Sequence, residues 1–202
     1  MLFNDAYQAV IFRVPKVASQ AMGTALRPLG FYQHKSSDPK IWGADRLKAM
    51  SYITRMSRCK PEVLQYKRAA FVRHPEDRLF SAWRYINKFA KKIREGQLPF
   101  DQFVDRVLAG DNLHLGSLWH AGLSQTRLLA ENGQLQVDFV GRYEQLDEDF
   151  AKWCKWCGIR EVRLPRTNCS GPAVDYHDFY PRGLRARVRE HFAEDYETFG
   201  YQ

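Results

Sequence analysis

The chain has 202 residues, of which 45% are hydrophobic and 14% aromatic, so a disordered or fibrous protein is excluded and one domain with an ordinary core is predicted. Its 31 Lys and Arg against 23 Asp and Glu give a formal net charge of +8, which favours an anionic partner: a phosphorylated cofactor, an acidic polysaccharide, nucleic acid or a membrane surface. No apolar run reaches the roughly 18 residues of a membrane span, and the opening stretch lacks a signal-peptide pattern. A cytoplasmic protein without a transmembrane segment is therefore expected.

The first predicted element is a buried strand over residues 9–14, a short apolar run that Pro15 ends. A tight turn over 16–20 leads into a helix over 21–26. In this strand–loop–helix order, the amides at the helix N-terminus can face a bound anion. A polar, irregular region follows, and a helix is predicted over 45–58.

Strands and helices alternate along the rest of the chain, which indicates an α/β domain with a mainly parallel central sheet flanked by helices. A second buried strand covers 68–72, and a helix with one apolar stripe begins at Asp77. One domain is expected to include all of residues 1–202. The later predicted elements are helices over 100–109 and 115–130, a strand over 137–141, and helices over 146–156 and 181–196.

The four cysteines are too few to form a disulfide scaffold for a chain of this length. Cys154 and Cys157 form a CxxC pair, but the pair lies in a predicted helix, and no second pair or His-x-x-x-His follows. We therefore expect buried or half-buried helical thiols and no metal site.

Residues 15–22, Pro-Lys-Val-Ala-Ser-Gln-Ala-Met, form the first candidate site. They are not a Walker A motif, because G-x-x-x-x-G-K-[ST] is absent. The physics is nevertheless similar, since small residues allow the backbone to approach a phosphate, Lys16 supplies a positive charge, and the following helix offers N–H groups. The alternative is an ordinary strand-to-helix turn with a surface lysine.

The second candidate site is the segment FVRHPEDRLFSAW, residues 71–83. Arg73 lies at the carboxyl end of a predicted strand, where open α/β sheets place their ligand crevice. Ser81 lies in the next helix, and a guanidinium and a hydroxyl there could hold one phosphate from two sides. Arg78 and Arg84 could instead be surface residues.

Taken together, the PK-containing loop and the later VRHPEDRLFSAW segment resemble the PAPS-dependent sulfotransferases, in particular the Golgi-type (family 2) carbohydrate sulfotransferases and their bacterial relatives. VDFVGRYE at 137–144 and YETFGY at 196–201 extend the resemblance over residues 9–201. It implies a P-loop-like, three-layer fold. It also implies an enzyme that moves a sulfuryl group from PAPS (3′-phosphoadenosine 5′-phosphosulfate) to an acceptor hydroxyl, with PAP as the product.

The same resemblance assigns roles to individual residues. Lys16 would contact the 5′-phosphosulfate and act in catalysis by stabilising charge on the leaving phosphate, so no metal is needed. Arg73 and Ser81 would bind the 3′-phosphate, and Tyr143 would border the adenine, unless it is a core aromatic. The sequence departs from the family pattern at Gln20, where Thr or Ser usually supplies a hydroxyl. The rest of the 5′ cradle would be the Ser19 hydroxyl and the backbone amides of Val17, Ala18, Ser19, Gln20, Ala21 and Met22.

The catalytic base stays open at this level. His34 is the favoured candidate, because it follows the first helix and an imidazole titrates in a suitable range. Asp38, Asp45, His114 and His120 are the alternatives.

The acceptor is expected to be a saccharide or polysaccharide, and whether it is anionic stays open; a non-carbohydrate small molecule is an alternative. A degenerate nucleotide-phosphate kinase and a non-catalytic nucleic-acid- or polyanion-binding module are the competing classes. Nucleic acid is disfavoured, because no aromatic-basic RNP-like pattern is present. The oligomeric state is open, and a bacterial-type cytoplasmic enzyme is expected, with the Golgi lumen as the alternative if the chain is a trimmed part of a longer protein. The basic clusters, which could also be solvated faces, are Lys88, Lys91, Lys92 and Arg94, and Arg182, Arg185, Arg187 and Arg189.

Overall fold

The computed structural model describes residues 1–33, 57, 60–89, 97–110, 122–160, 162–165 and 174–202. The chain divides into two compact units, Met1–Val72 with Gln125–Thr167 and Arg73–Ser124 with Asn168–Gln202. The first unit contains the main β-sheet, and the second is helical. That the whole chain acts as one domain stays a prediction. The helix predicted over 45–58 lies outside the described residues, apart from residue 57.

Six strands and seven α-helices are present in the described parts of the chain. The strands are Leu2–Asn4 (β1), Ala9–Phe12 (β2), Lys67–Val72 (β3), Ala130–Glu131 (β4), Gln134–Leu135 (β5) and Phe139–Arg142 (β6). The helices are Ser19–Leu26 (α1), Pro75–Phe89 (α2), Phe100–Leu108 (α3), Gln125–Leu129 (α4), Leu146–Cys157 (α5), Arg182–His191 (α6) and Ala193–Phe199 (α7).

The first unit is built on a four-stranded sheet in the order β1-β2-β3-β6. Strands β2, β3 and β6 are parallel, whereas β1 joins β2 antiparallel and was not predicted. The register places Phe12 opposite Ala70 and Val72 opposite Arg142, so the three parallel strands run toward one common edge. The predicted α/β fold with a mainly parallel central sheet flanked by helices is confirmed. Strands β4 and β5 form a separate hairpin.

The core of this unit explains the composition of its strands. All four residues of β2 are buried, as expected for an inner parallel strand with both faces covered. Helix α5 packs on the sheet through Phe150, whose ring centroid lies 6.3 Å from that of Phe71. Gly141 lies beside Phe71, and a Cβ built on Gly141 would lie within 3.0 Å of that ring, so only glycine fits without rearrangement. Cys154 and Cys157 are buried on α5, as predicted.

The second unit is a cluster of helices around the apolar stripe of α2. Leu79 and Ile86 belong to this buried core, which includes residues of α3 and α6. The single helix predicted over 181–196 is wrong, because α6 and α7 are separated at Phe192, whose φ of −104° and ψ of 23° are not helical. Phe192 has 0% of its surface exposed, so burial of its ring anchors the break. Among the described residues, no helix is both long and apolar enough to cross a membrane.

Candidate functional site

The backbone of the loop after β2 alternates in the sign of φ. Lys16 and Ala18 have φ of 66° and 49°, in the left-handed region, whereas Val17 and Ser19 do not have positive φ. A residue other than glycine adopts this region at a cost of roughly 1–2 kcal/mol. Alternation of this kind turns successive N–H groups toward one side and forms an anion-binding nest. Val17, with 2% of its surface exposed, anchors the loop in the core.

Helix α1 begins directly after this loop without a side-chain cap. Its N-cap residue is Ala18, which has no side-chain oxygen, and its first turn contains no acidic residue. The amide of Met22 donates to the carbonyl of Ala18 at 3.1 Å, which is the first hydrogen bond of the helix. The amides of residues 19–21 come before it in the chain. The positive end of the helix dipole is therefore not neutralised by a carboxylate of its own first turn, which suits an anionic ligand.

The remaining residues of the predicted 5′ cradle differ in exposure. Lys16 and Ser19 are half-buried and Gln20 is exposed, whereas the side chains of Ala21 and Met22 are buried. Ala21 and Met22 could therefore offer only backbone groups to a ligand. The amide of Met22 already donates within the helix, and the cradle of residues 17–22 stays a prediction.

Tyr143, the predicted adenine residue, follows the last residue of β6 and is half-buried. It lies at the sheet edge toward which β2 also runs, with β3 between the two strands. At the usual spacing of 4.7–4.9 Å between strands, the ends of β2 and β6 are about 10 Å apart. Tyr143 and the loop at Lys16 therefore lie at the same edge of this unit.

Asp149, which the sequence did not single out, holds the end of β6 in place. Its Oδ2 accepts a hydrogen bond from the amide of Arg142 at 2.8 Å, and its Oδ1 accepts one from Lys152 Nζ at 2.8 Å. Burial alone would raise the pKa of Asp149, but the hydrogen bonds from Lys152 and Arg142 outweigh burial and lower that pKa. Asp149 therefore positions the strand end that Tyr143 follows.

Asp138, in the VDFVGRYE segment of the family resemblance, has a similar structural role at the start of β6. It binds the Arg68 guanidinium through both carboxylate oxygens, at 2.7 and 3.0 Å, and accepts the Arg68 amide at 2.9 Å. Burial raises the pKa of Asp138, but the hydrogen bonds from Arg68 outweigh burial and lower the pKa. This pairing fixes the register of β3 with β6.

Arg73, the predicted 3′-phosphate residue, belongs to the second unit and pairs with Asp77. Its Nε and Nη2 donate to the two carboxylate oxygens at 2.7 and 2.8 Å. Helix α2 begins at Pro75 rather than at Asp77, so Ser81 lies on its second turn. Arg73, Asp77 and Ser81 are spaced by four residues and follow one line along the start of the helix. Asp77 was missed from the sequence, although this spacing could have indicated it.

Arg78 is buried, so its interpretation as a surface residue is wrong. The side chains of Arg78 and Asp195 both have 0% of their surface exposed, and Arg78 Nη2 lies 4.0 Å from an Asp195 carboxylate oxygen. The same Nη2 donates to the carbonyl of Leu123 at 2.6 Å, and the guanidinium lies 5.3 Å from the ring centroid of Phe192. Arg78 therefore stabilises the fold of the second unit.

The C-terminal YETFGY segment packs against the start of α2. Tyr196 donates its hydroxyl hydrogen to Glu76 Oε1 at 3.1 Å, and the ring of Tyr201 lies 5.2 Å from that of His74. Glu76 has only 3% of its surface exposed. Burial, together with the nearby Glu76 carboxylate, raises the pKa of Tyr196 well above its ordinary value, so the phenol stays a donor. The C-terminal segment thus supports the backbone between Arg73 and α2.

The basic residues of α6 are mostly engaged within the second unit. Arg187 pairs with Asp105 at 2.7 Å, and Arg185 lies 3.4 Å from the Glu76 carboxylate. The guanidinium of Arg189 lies 5.0 Å from the ring centroid of Tyr196. These contacts favour a structural role for the cluster over a free polyanion-binding face.

All the candidate bases fall outside the described residues: His34, Asp38, Asp45, His114 and His120. The same holds for Lys91, Lys92 and Arg94 of the first basic cluster. The choice of His34 as the base stays a prediction.

The sequence profile described as "Sulfotransferase family" matches residues 1–202, so the chain belongs to the sulfotransferase family. Two similar proteins are the carbohydrate sulfotransferases 14 of Mus musculus, 25% identical over 233 residues, and of Homo sapiens, 24% identical over 233 residues. Each alignment covers 100% of this chain and 60% of the relative, so the chain spans about 60% of their length. No solved structure gives a significant match. The resemblance found in the sequence is confirmed.

These relatives correct one expectation. A bacterial-type, cytoplasmic protein was expected, whereas the relatives that match the whole chain are mammalian carbohydrate sulfotransferases, the class named above as Golgi-type. The cytoplasmic assignment is wrong. It rested on the pattern of the opening stretch, which does not determine where a protein works.

Proposed function

We propose that this chain catalyses transfer of a sulfuryl group from PAPS to a hydroxyl of a saccharide. The observation that carries the proposal is the loop after β2, where left-handed Lys16 and Ala18 precede the uncapped helix α1. Membership of the sulfotransferase family supports the reaction class. The names of the two carbohydrate sulfotransferase relatives support a saccharide acceptor.

The residues of the first unit fit the 5′-phosphosulfate of PAPS in charge and in donor geometry. Lys16 would supply a full positive charge, and the amides of residues 17–21 with the Ser19 hydroxyl would supply donors. Tyr143, at the same sheet edge, would border the adenine. A guanidinium has five N–H donors, so Arg73 can keep its two hydrogen bonds with Asp77 while it binds the 3′-phosphate together with Ser81.

The contribution of the chain to the reaction is electrostatic and positional. Bound PAPS supplies an activated sulfuryl group whose leaving group is PAP. Lys16 and the loop amides would stabilise the negative charge that develops on the leaving phosphate, as the sulfur–oxygen bond to the phosphate breaks and a sulfur–oxygen bond to the acceptor forms. The acceptor's hydroxyl proton would pass to a base, for which His34 is the candidate.

Transfer of a ³⁵S label from PAPS to a panel of neutral and uronate-containing oligosaccharides and a phenol tests the proposal. We expect a labelled oligosaccharide with the wild type, and a loss of roughly 100-fold in rate for Lys16→Ala, as for removal of an oxyanion-stabilising donor. Arg27→Ala, at the other end of α1, is the matched control and should retain the rate. No labelled product with any acceptor would contradict the proposal. Label on the phenol alone would refute only the saccharide acceptor.

A further inference from the structure

Trp156, in the last turn of α5, keeps 40% of its surface exposed even though it is a large apolar side chain. Its ring stacks on Phe139 with the centroids 6.1 Å apart and the planes 22° apart. Lys67 Nζ lies 5.5 Å from the Trp156 ring centroid and donates to the Trp156 carbonyl at 2.9 Å. The indole is therefore held by several contacts and is at the same time accessible.

Lys67 and Phe139, which contact the indole, lie on the same face of the sheet. Phe139 pairs with Ala69 across β3 and β6, and Lys67 lies two residues before Ala69 on β3. Side chains two residues apart on a strand, and side chains of paired residues, share one face of a sheet. Helix α5, which carries Trp156, packs on that face. The exposed side of the indole therefore faces away from the sheet.

Basic residues lie close to Trp156 in the sequence. Lys155 and Arg160 are exposed, and within the described part of the chain neither forms an ion pair. Lys152, one turn before Trp156, is also exposed and pairs with Asp149. Lysines near a helix C-terminus interact favourably with the negative end of the helix dipole. That role does not require an exposed aromatic ring beside them. The acidic residues of the first turn of α5 are Asp147, Glu148 and Asp149.

This surface is remote from the proposed transfer site. Lys67 and Phe139 are the first residues of β3 and β6, whereas the loop at Lys16 and Tyr143 follow the last residues of parallel strands. Six residues of strand span about 20 Å. A ligand on this surface could therefore be the same molecule as the acceptor only if that acceptor is a polymer.

We propose that Lys67, Phe139, Lys155, Trp156 and Arg160, named here the Trp156 platform, bind an acidic glycan chain. A sugar ring would pack its apolar face on the indole, and carboxylate or sulfate groups would pair with the exposed cations Lys155 and Arg160. The choice of a glycan over single-stranded nucleic acid, which also stacks on aromatic rings, rests on the proposed function. Binding here raises the local concentration of the same polymer at the transfer site.

Calorimetric titration with a hyaluronan decasaccharide, a polyuronate, at one low salt concentration tests the platform. We expect Trp156→Ala to weaken binding by about tenfold or more, as for loss of one stacked ring, and Arg160→Glu to weaken it by several-fold. The matched controls are Leu64→Ala, an exposed apolar residue on another element, and Arg182→Glu, the same charge reversal on α6. Both controls should bind as the wild type does. PAP binding is measured on every variant and should be unchanged.

Three results would overturn the platform. They are no binding of the decasaccharide by the wild type, binding by both Trp156→Ala and Arg160→Glu that is as tight as that of the wild type, or tighter binding of a ten-residue oligothymidylate than of the decasaccharide. If Trp156→Ala fails to fold, Arg160→Glu alone decides the question. Platform-dependent binding of the decasaccharide by a protein that does not bind PAP would refute the proposed function and leave the platform in place.

Discussion

The two segments proposed to bind the phosphates of PAPS use different chemical groups, the backbone in one and side chains in the other. After β2, backbone groups dominate: Lys16 and Ala18 have left-handed φ, and α1 begins without a side-chain cap. At the start of α2, side chains dominate: Arg73 pairs with Asp77, and Arg78 is buried in an ion pair. We therefore expect substitutions in the backbone cradle to change ligand binding more than stability, whereas substitutions around α2 change stability as well.

The largest expected effect is that of Arg78→Leu. Loss of the guanidinium removes the cation beside the buried Asp195 carboxylate, which costs about 3–5 kcal/mol of unfolding free energy. Urea denaturation measures this loss, and failure to fold would agree with it. Arg182→Leu, on the exposed start of α6, is the control and should change stability by less than about 0.5 kcal/mol. A loss for Arg78→Leu as small as that of the control would show that the second segment is not held by this pair.

Asp77→Ala tests whether the carboxylate orients Arg73. We expect PAP to bind about five- to tenfold more weakly, equivalent to about 1 kcal/mol, because the guanidinium loses two hydrogen bonds that fix its direction. Calorimetry measures the affinity, and Asp101→Ala, an exposed aspartate in the first turn of α3, serves as the control. Tighter binding by Asp77→Ala would mean that the carboxylate competes with the phosphate for Arg73.

Ala18→Gly tests the backbone strain in the first segment. Glycine adopts φ of 49° without the steric cost of a Cβ, so we expect unfolding free energy to increase by about 0.5–1 kcal/mol. The matched control is Ala186→Gly in the exposed middle of α6, which should decrease stability by about 0.5–1 kcal/mol. Chemical denaturation of both variants gives the comparison. Destabilisation of equal size in both variants would contradict the assignment of strain to Ala18.

The pH dependence of stability tests the role of Asp149. The folded-state pKa of Asp149 is lowered, so its contribution to stability is complete above the unfolded value of about 3.9 and is lost as the pH falls through the folded pKa. We expect the unfolding free energy of Asp149→Asn to be about 0.5–1 kcal/mol lower than that of the wild type at neutral pH. On acidification below pH about 4, the variant should lose less unfolding free energy than the wild type does. Stability curves against pH measure this, with Asp147→Asn as the control. Parallel curves for the wild type and Asp149→Asn would contradict it.

Much of the first segment could be predicted from the sequence because the strand, loop and helix are contiguous. The left-handed conformations at Lys16 and Ala18 could not, because neither is a glycine and the loop is held by burial of Val17. The three-residue strand β1 is too short to show a periodicity. Its pairing with β2 depends on the tertiary fold.

For the second segment, the sequence predicts the candidate ligand residues but not the contacts that hold them. Arg73 and Ser81 were proposed from the sequence, and Asp77 could have been proposed from its spacing to Arg73. The burial of Arg78 could not, since Leu123 and Asp195, which it contacts, are distant in the chain. Local patterns thus identify residues of the candidate site, whereas the residues that hold them in place come from long-range packing.

The most direct test of the central claim is calorimetric titration of the wild type, Lys16→Ala and Arg73→Ala with PAP, adenosine 5′-phosphate and adenosine 3′-phosphate. We predict that the wild type binds PAP and that each substitution weakens PAP binding by roughly 1.5–3 kcal/mol, as for loss of a charged hydrogen bond. Lys16→Ala should weaken the binding of adenosine 5′-phosphate and leave the binding of adenosine 3′-phosphate unchanged. Arg73→Ala should have the reverse effect. Absence of PAP binding, or unchanged binding in both variants, would contradict the claim that these two segments bind the two phosphates of one nucleotide.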